Sequence, residues 1–171
     1  MAIIVTGDAL SLMQDKNMAE RTIRPLIAAD ADAVAEMSRH FNLYLRELGD
    51  DDPYCFNRAH YLADGFGADP AFGGFIALSE SVPVGYLLHC PTYDADLAIR
   101  QLMVIDLWVE PAARSSGYGR QLMQAAIDHA RTTGARRLIW AVFRSNRMAI
   151  DFYRRLGAED VEALDWMTLQ S

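Results

Sequence analysis

A run of nine residues, QLMVIDLWV at positions 101–109, constrains this chain more than any other stretch. It is too apolar for a strand with one wet face, so it belongs at the centre of a sheet covered on both sides. Pro111 ends it, and a loop reading RSSGYG at 114–119 leads into an apolar-periodic helix that stops at Gly134. Strand, tight turn and helix in that order set the unpaired N–H groups of a first helical turn beside two glycines. Glycine permits close backbone approach and a helix N-terminus attracts anions, so a phosphate is the expected guest of this turn.

The remaining elements fit around that centre. RTIRPL reads as a strand, and residues 27–48 as a helix, with Val34, Met37, Phe41, Leu45 and Leu48 at helical spacing and Asp30 as N-cap. Asp52 and Pro53 repeat the helix-start signal and open a second helix through residues 54–66. Residues 73–90 contain two β-rich runs around a polar turn, a hairpin. RLIWAVF at 137–143 is a further apolar strand, NRMAIDFYRRLG a short helix closed by Gly157, and DWMTLQ at 165–170 a last strand. The fold class is α/β: a single domain with a mixed, mostly antiparallel sheet flanked by helices, spanning 21–171 behind an N-terminal extension of residues 1–20.

With 171 residues, 51% of them hydrophobic, the chain is large enough for one real core. A formal net charge of −7 speaks against nucleic acid and anionic membranes as partners and suits a cationic substrate. Cys55 and Cys90 show no metal-ligand spacing, so neither a disulfide framework nor a metal site is expected. The N-terminus lacks a basic region and a cleavage site, and no run is long enough to span a membrane, so a cytoplasmic location is expected.

Neither a P-loop nor the GxGxxG dinucleotide fingerprint is present. Arg114, Gly117 and Gly119 instead spell R-x-x-G-x-G after a strand, and Asn146, Ala149, Phe152, Tyr153 and Gly157 spell N-x-x-A-x-x-F-Y-x-x-x-G. In both motifs, in their order and spacing, the chain resembles the GNAT superfamily of acyl-CoA-dependent N-acyltransferases. The resemblance implies acetyl-CoA as donor, its pyrophosphate on the N–H groups of Ser115, Ser116, Gly117, Tyr118, Gly119 and Arg120. It implies pantetheine alongside Leu107, Trp108 and Val109, with Arg114 and Arg120 adding charge-assisted bonds. Asn146 is either a polar contact to the cofactor or simply the helix N-cap.

By the same resemblance, the Tyr153 hydroxyl is the general acid toward the departing thiolate. An attacking amine must also lose a proton, because a lysine-like amine titrates near 10.4. In IRPLIAAD, DGFGADP, GYLLHCPTYD and DFYRRLGAED the chain is most similar to the polyamine (spermidine/spermine-type) and thialysine acetyltransferases, a branch that implies a homodimer. Those enzymes carry L-E-D-[FL]-[FYW]-V in the central strand, whereas this chain reads VIDLWV. Ile105 therefore stands at the glutamate's position, and Leu45 replaces a second acid near the end of the first helix. Asp106 is retained, but neighbouring strand residues point to opposite faces unless a bulge intervenes. A carboxylate in so apolar a run demands a reason, which puts Asp106 first as base, ahead of His89, Tyr93, Asp94 and Glu110.

The expected activity is acetyl transfer from acetyl-CoA to a primary amine of a small metabolite, a diamine, polyamine or basic amino acid, by direct attack in a ternary complex. Two alternatives stand beside it: an acyl-CoA-binding regulatory module without efficient turnover, and a protein or peptide N-acetyltransferase. With the glutamate gone, spermidine and spermine are expected to be poor substrates.

Overall fold

In the computed structural model, which describes residues 20–161, the apolar run is the fourth of five strands. Strands β1 (Arg21–Pro25), β2 (Gly73–Ser79), β3 (Val82–Asp94), β4 (Ile99–Val109) and β5 (Arg137–Ile139) lie side by side in chain order. The first three pairings are antiparallel and the β4–β5 pairing is parallel, the mixed sheet expected from the sequence. Parallel neighbours need a crossover, and helix α3 (Tyr118–Thr132) supplies it.

Helices α1 (Ala31–Glu47) and α2 (Arg58–Phe66) cover one face of the sheet, where Val34, Met37 and Tyr61 pack on Ile76, Tyr86, Leu88 and Trp108. On the other face Leu122, Met123 and Ala126 of α3 meet Ala77, Leu87, Leu102 and Val104. Each large apolar side chain so buried stabilises the fold by about 1.5–3 kcal/mol. Helix α4 (Arg147–Arg155) follows β5 and is closed, as expected, by Gly157 at a φ of 89°.

Three local expectations differ from what is seen. Asp30 holds the N-cap position of α1 but makes no side-chain cap; its carboxylate takes the two terminal guanidinium nitrogens of Arg24 at 2.7 Å and the Ile27 N–H at 2.9 Å, tying β1 to the start of α1. Burial alone would raise the Asp30 pKa, but these donors outweigh it and hold it below the usual range. Helix α2 starts at Arg58 rather than near Pro53, because Asn57 accepts from the N–H groups of Ala59 and His60. Asp52 is engaged elsewhere: its N–H donates to the Asp50 carboxylate and its carbonyl accepts from Arg46.

The third difference shapes the molecule. Leu88 pairs with Asp106 but His89 with Val104, so Ile105 is an extra residue with no partner, a β-bulge in β4. Expected to run to Phe143, β5 ends at Ile139, and its pairing with β4 stops at Met103, just short of the bulge. A bulge bends and twists its strand, so residues 140–143 part from β4 and the sheet splits. The strand expected at 165–170 and nearly all of the N-terminal extension lie outside the described residues.

Candidate active site

The split opens a cavity of about 850 Å³. Its walls are residues 104–109 of β4 and residues 140–143 beyond β5; Asn146, Ala149, Phe152 and Tyr153 of the α4 segment flank it. The bulge decides which side chain looks where. Ahead of it Leu102 and Val104 face α3; after it Leu107 and Val109 face α3, while Asp106 and Trp108 face α1 beside Leu88 and Tyr86. The cavity is thus bordered by groups from both faces of the sheet.

On the α3 side the loop is shaped by two residues in the left-handed region, Ser115 at a φ of 63° and Gly117 at 89°. Such a φ in a serine is uncommon. Gly117 is the N-cap of α3 and offers no side-chain cap, so the first-turn N–H groups have no side-chain partner there. A Cβ on Gly117 would meet only Arg21 Nη1, at 3.9 Å, whereas one on Gly119 would touch the Phe152 ring at 3.4 Å. The loop is open at one glycine and packed at the other. Arg114, Ser115, Gly117, Tyr118, Gly119 and Arg120 all line the cavity. Ser116 does not, and its carbonyl accepts from Arg21 at 2.6 Å. The Tyr118 side chain is buried in the α3 core under the Arg21 guanidinium. Arg114 bends back to β4: its Nε donates to the Val109 carbonyl at 3.0 Å, and its guanidinium lies 4.5 Å from the Trp108 ring centre and 5.3 Å from that of Tyr44.

On the α1 side stands Asp106. Its Oδ2 accepts from the hydroxyl of the wholly buried Tyr86 at 3.0 Å. Burial raises its pKa to about 6, against which the Tyr86 hydrogen bond pulls down. Burial and the nearby Asp106 charge together push the Tyr153 phenol up to about 12. Tyr153 also packs on Trp140, with ring centres 4.8 Å apart. Asn146 is the N-cap of α4: its Oδ1 accepts from the Ala149 N–H at 3.1 Å and from the Tyr44 hydroxyl at 2.9 Å. The cavity therefore brings the Asp106 carboxyl, raised toward neutral pH, together with the Tyr153 phenol, which stays protonated there.

The other bases considered from sequence do not line this cavity. His89 is buried against His129 on the α3 face, its pKa lowered to about 4 by burial and the His129 charge. Asp94 pairs with Arg137 at 3.2 Å, Glu110 with His40 at 2.8 Å, and Tyr93 is largely exposed. Leu45 and Ile105 do line it, as does one acid that sequence reasoning passed over, Asp52. Its signal was the run DDDP directly after the first helix, read only as a helix start. Tyr86 left no signal at all. Among the described residues no group of three or more His, Cys, Asp or Glu side chains is placed to hold a metal, and no helix is long and apolar enough to cross a membrane.

Comparison with known proteins agrees with this architecture. Thialysine N-epsilon-acetyltransferase of Bos taurus is 33% identical over 113 residues, which cover 61% of this chain and 66% of the relative. L-ornithine N5-acetyltransferase of Arabidopsis thaliana is 32% identical over 82 residues, 48% of this chain and 36% of that one. The chain thus spans just under two thirds of the bovine relative and about a third of the plant one. Among solved structures, a tetramutant of the BH1408 protein from Bacillus halodurans superposes with a TM-score of 0.73 at 20% identity, covering 86% of this chain and 99% of that one. An aminoglycoside acetyltransferase from an uncultured soil metagenomic sample does so at 0.71, also at 20% identity, covering 91% and 99%. Both are likenesses of fold. The profile of the Acetyltransferase (GNAT) family matches residues 36–158, most of the described sheet and its helices, and the chain belongs to that family.

Proposed function

We propose that the chain is an N-acetyltransferase that moves the acetyl group of acetyl-CoA to a primary amine of a small metabolite, by direct attack in a ternary complex. The observation that carries this reading is the split sheet with Asp106 on its α1 side and Tyr153 beside it. Family membership and the thialysine- and ornithine-acetylating relatives support the chemistry. The donor fits the residues present: a loop with two left-handed residues, uncapped first-turn N–H groups and Arg120 suit a diphosphate, and residues 104–109 leave an unpaired strand edge for an extended amide-bearing chain. Arg114 braces the loop against Val109 and adds positive charge. The bound donor would supply a thioester, an acyl group with a good leaving group.

The chain's own residues handle the protons. The amine enters from the α1 side protonated, and the Asp106 carboxylate takes the proton that frees its lone pair. The amine nitrogen then bonds to the acetyl carbon, the carbon–sulfur bond breaks with its electron pair on sulfur, and the new amide nitrogen gives its surplus proton to the tyrosinate left once Tyr153 has protonated that sulfur. Tyr153, fully protonated at working pH, donates to that sulfur. Phe41, Tyr44, Leu45 and Ile105 give the amine's stem an apolar wall, with Asp52 as a peripheral carboxylate. In this reading the domain spans residues 21–171 and works in the cytoplasm as a homodimer, the dimer being what the thialysine-type branch implies. A thiol-release assay with acetyl-CoA and a panel of polyamines, diamines, lysine analogues and amino acids tests it. Acceptor-dependent release is expected; calorimetric binding of acetyl-CoA with no release for any acceptor would make the chain a binding module instead.

A further inference from the structure

We infer that Tyr86 is a positioning residue, whose hydroxyl aims the Asp106 carboxylate at the amine and favours its ionised form. The inference rests on Asp106 being the base. Tyr86 lies on β3 directly opposite Trp108, and the bulge sets Asp106 two residues before Trp108 on the same face. The ring is 0% exposed and packed in the core between the sheet and α1, so the hydroxyl has little freedom to turn elsewhere. It donates to Oδ2 at 3.0 Å, the one hydrogen bond to this carboxylate among the described residues. Oδ1 takes no hydrogen bond among the described residues, and Asp106 lines the cavity. One oxygen is held and the other is left for the substrate.

The remaining groups around Asp106 do not share this role. Tyr153 on α4 feels the carboxylate's charge without a hydrogen bond to it. From α1, Ser38 lies beside the Tyr86 hydroxyl and Tyr44 is committed to Asn146. The loop after α1 brings Tyr54 near Tyr86 and Asp52 to the cavity wall, and Arg114 spreads over Trp108. Burial and the Asp106 charge raise the Tyr86 phenol well above its ordinary pKa, so it stays a donor at any working pH. Removing that donor leaves a buried carboxylate unassisted, which favours its protonated form.

Tyr86→Phe keeps the ring and loses only the donor. We expect the acid limb of kcat/KM against pH to move up by about one unit, so that activity falls about tenfold on that limb and converges with the parent at high pH. In an Asp106→Asn background the same change should alter the rate less than about twofold, as expected if Tyr86 acts through the carboxylate. An unmoved limb in a folded Tyr86→Phe variant, with the limb lost in Asp106→Asn, overturns the role of Tyr86 alone. A limb that survives Asp106→Asn overturns the base assignment and this inference with it. If Tyr86→Phe does not fold, a ring-fluorinated tyrosine at position 86 keeps the shape with a more acidic hydroxyl; it should move the limb down, and an unmoved limb overturns the inference.

Discussion

On the α3 side of the split, what stands out is backbone: a loop with Ser115 and Gly117 in left-handed conformation and the uncapped first turn of a helix. On the α1 side it is side chains, with Asp106 bonded to Tyr86 and Asp52 farther out. The two sides place their demands on the chain differently. Backbone recognition needs glycines at fixed spacing, whereas side-chain chemistry needs only that one carboxyl arrive at the right spot, by whatever route. A family can therefore keep the first arrangement while changing the second.

Variants should separate the sides cleanly. The largest effect is expected from Asp106→Asn, a loss of about 10²–10⁴-fold in kcat, the usual scale for a proton-transfer group. In the parent, kcat/KM should rise with pH through about 6, as the carboxyl becomes the ionised base, and level off above. The sign for stability is the reverse of the common acidic case. The folded value lies above the unfolded one near 3.9, so the cost of holding the ionised group is absent below about 4, grows toward about 6 and is complete beyond. Asp106→Asn should thus not lower the Tm at pH 8; a clear drop with activity intact would make Asp106 structural.

Tyr153→Phe should lower turnover by about 10²-fold with cofactor affinity nearly unchanged, since the ring still packs on Trp140. Turnover within about a factor of two would make Tyr153 a packing residue. Gly117→Val tests the other side. No protein atom blocks the new Cβ, but the positive φ costs roughly 1–2 kcal/mol and the side chain stands over the loop. Calorimetry should show acetyl-CoA binding weakened by about tenfold or more, and unchanged affinity in a folded variant breaks the comparison. The smallest effect belongs to the periphery. Asp52→Asn should reduce kcat/KM for dicationic amines by at most about fivefold and leave monoamines unaltered, because an exposed ion pair contributes ~0.2–1 kcal/mol. Spermidine and spermine should be poor substrates throughout, and efficient spermine acetylation would mean that Asp52 or Asp106 replaces the missing glutamate in full.

How much could be read in the sequence follows the same division. The central strand, the glycine loop and the Asn146 to Gly157 helix were legible because each is a local pattern of periodicity and caps. The start of α2 was misplaced because Asn57 outcompetes the Asp52 and Pro53 signal once Asp52 is engaged by Asp50 and Arg46. The length of β5 was overestimated because residues 140–143 have strand composition, yet their partner strand turns away. Tyr86 was invisible, since a buried aromatic in a strand looks the same whether or not its hydroxyl has a task. Asp106 was visible as an anomaly, but its direction depends on a register shift that no local pattern encodes.

That register shift bears on how β4 tolerates change. Ile105 has no partner across the ladder and is 47% exposed, so neither pairing nor packing prescribes its side chain. Its presence is another matter: it is the residue by which β4 outnumbers β3 at this point, and without it the two strands would run in step and β5 could close against them. For folding, the position is free in what occupies it and bound in being occupied, so tolerance of the fold to substitution there coexists with intolerance to deletion.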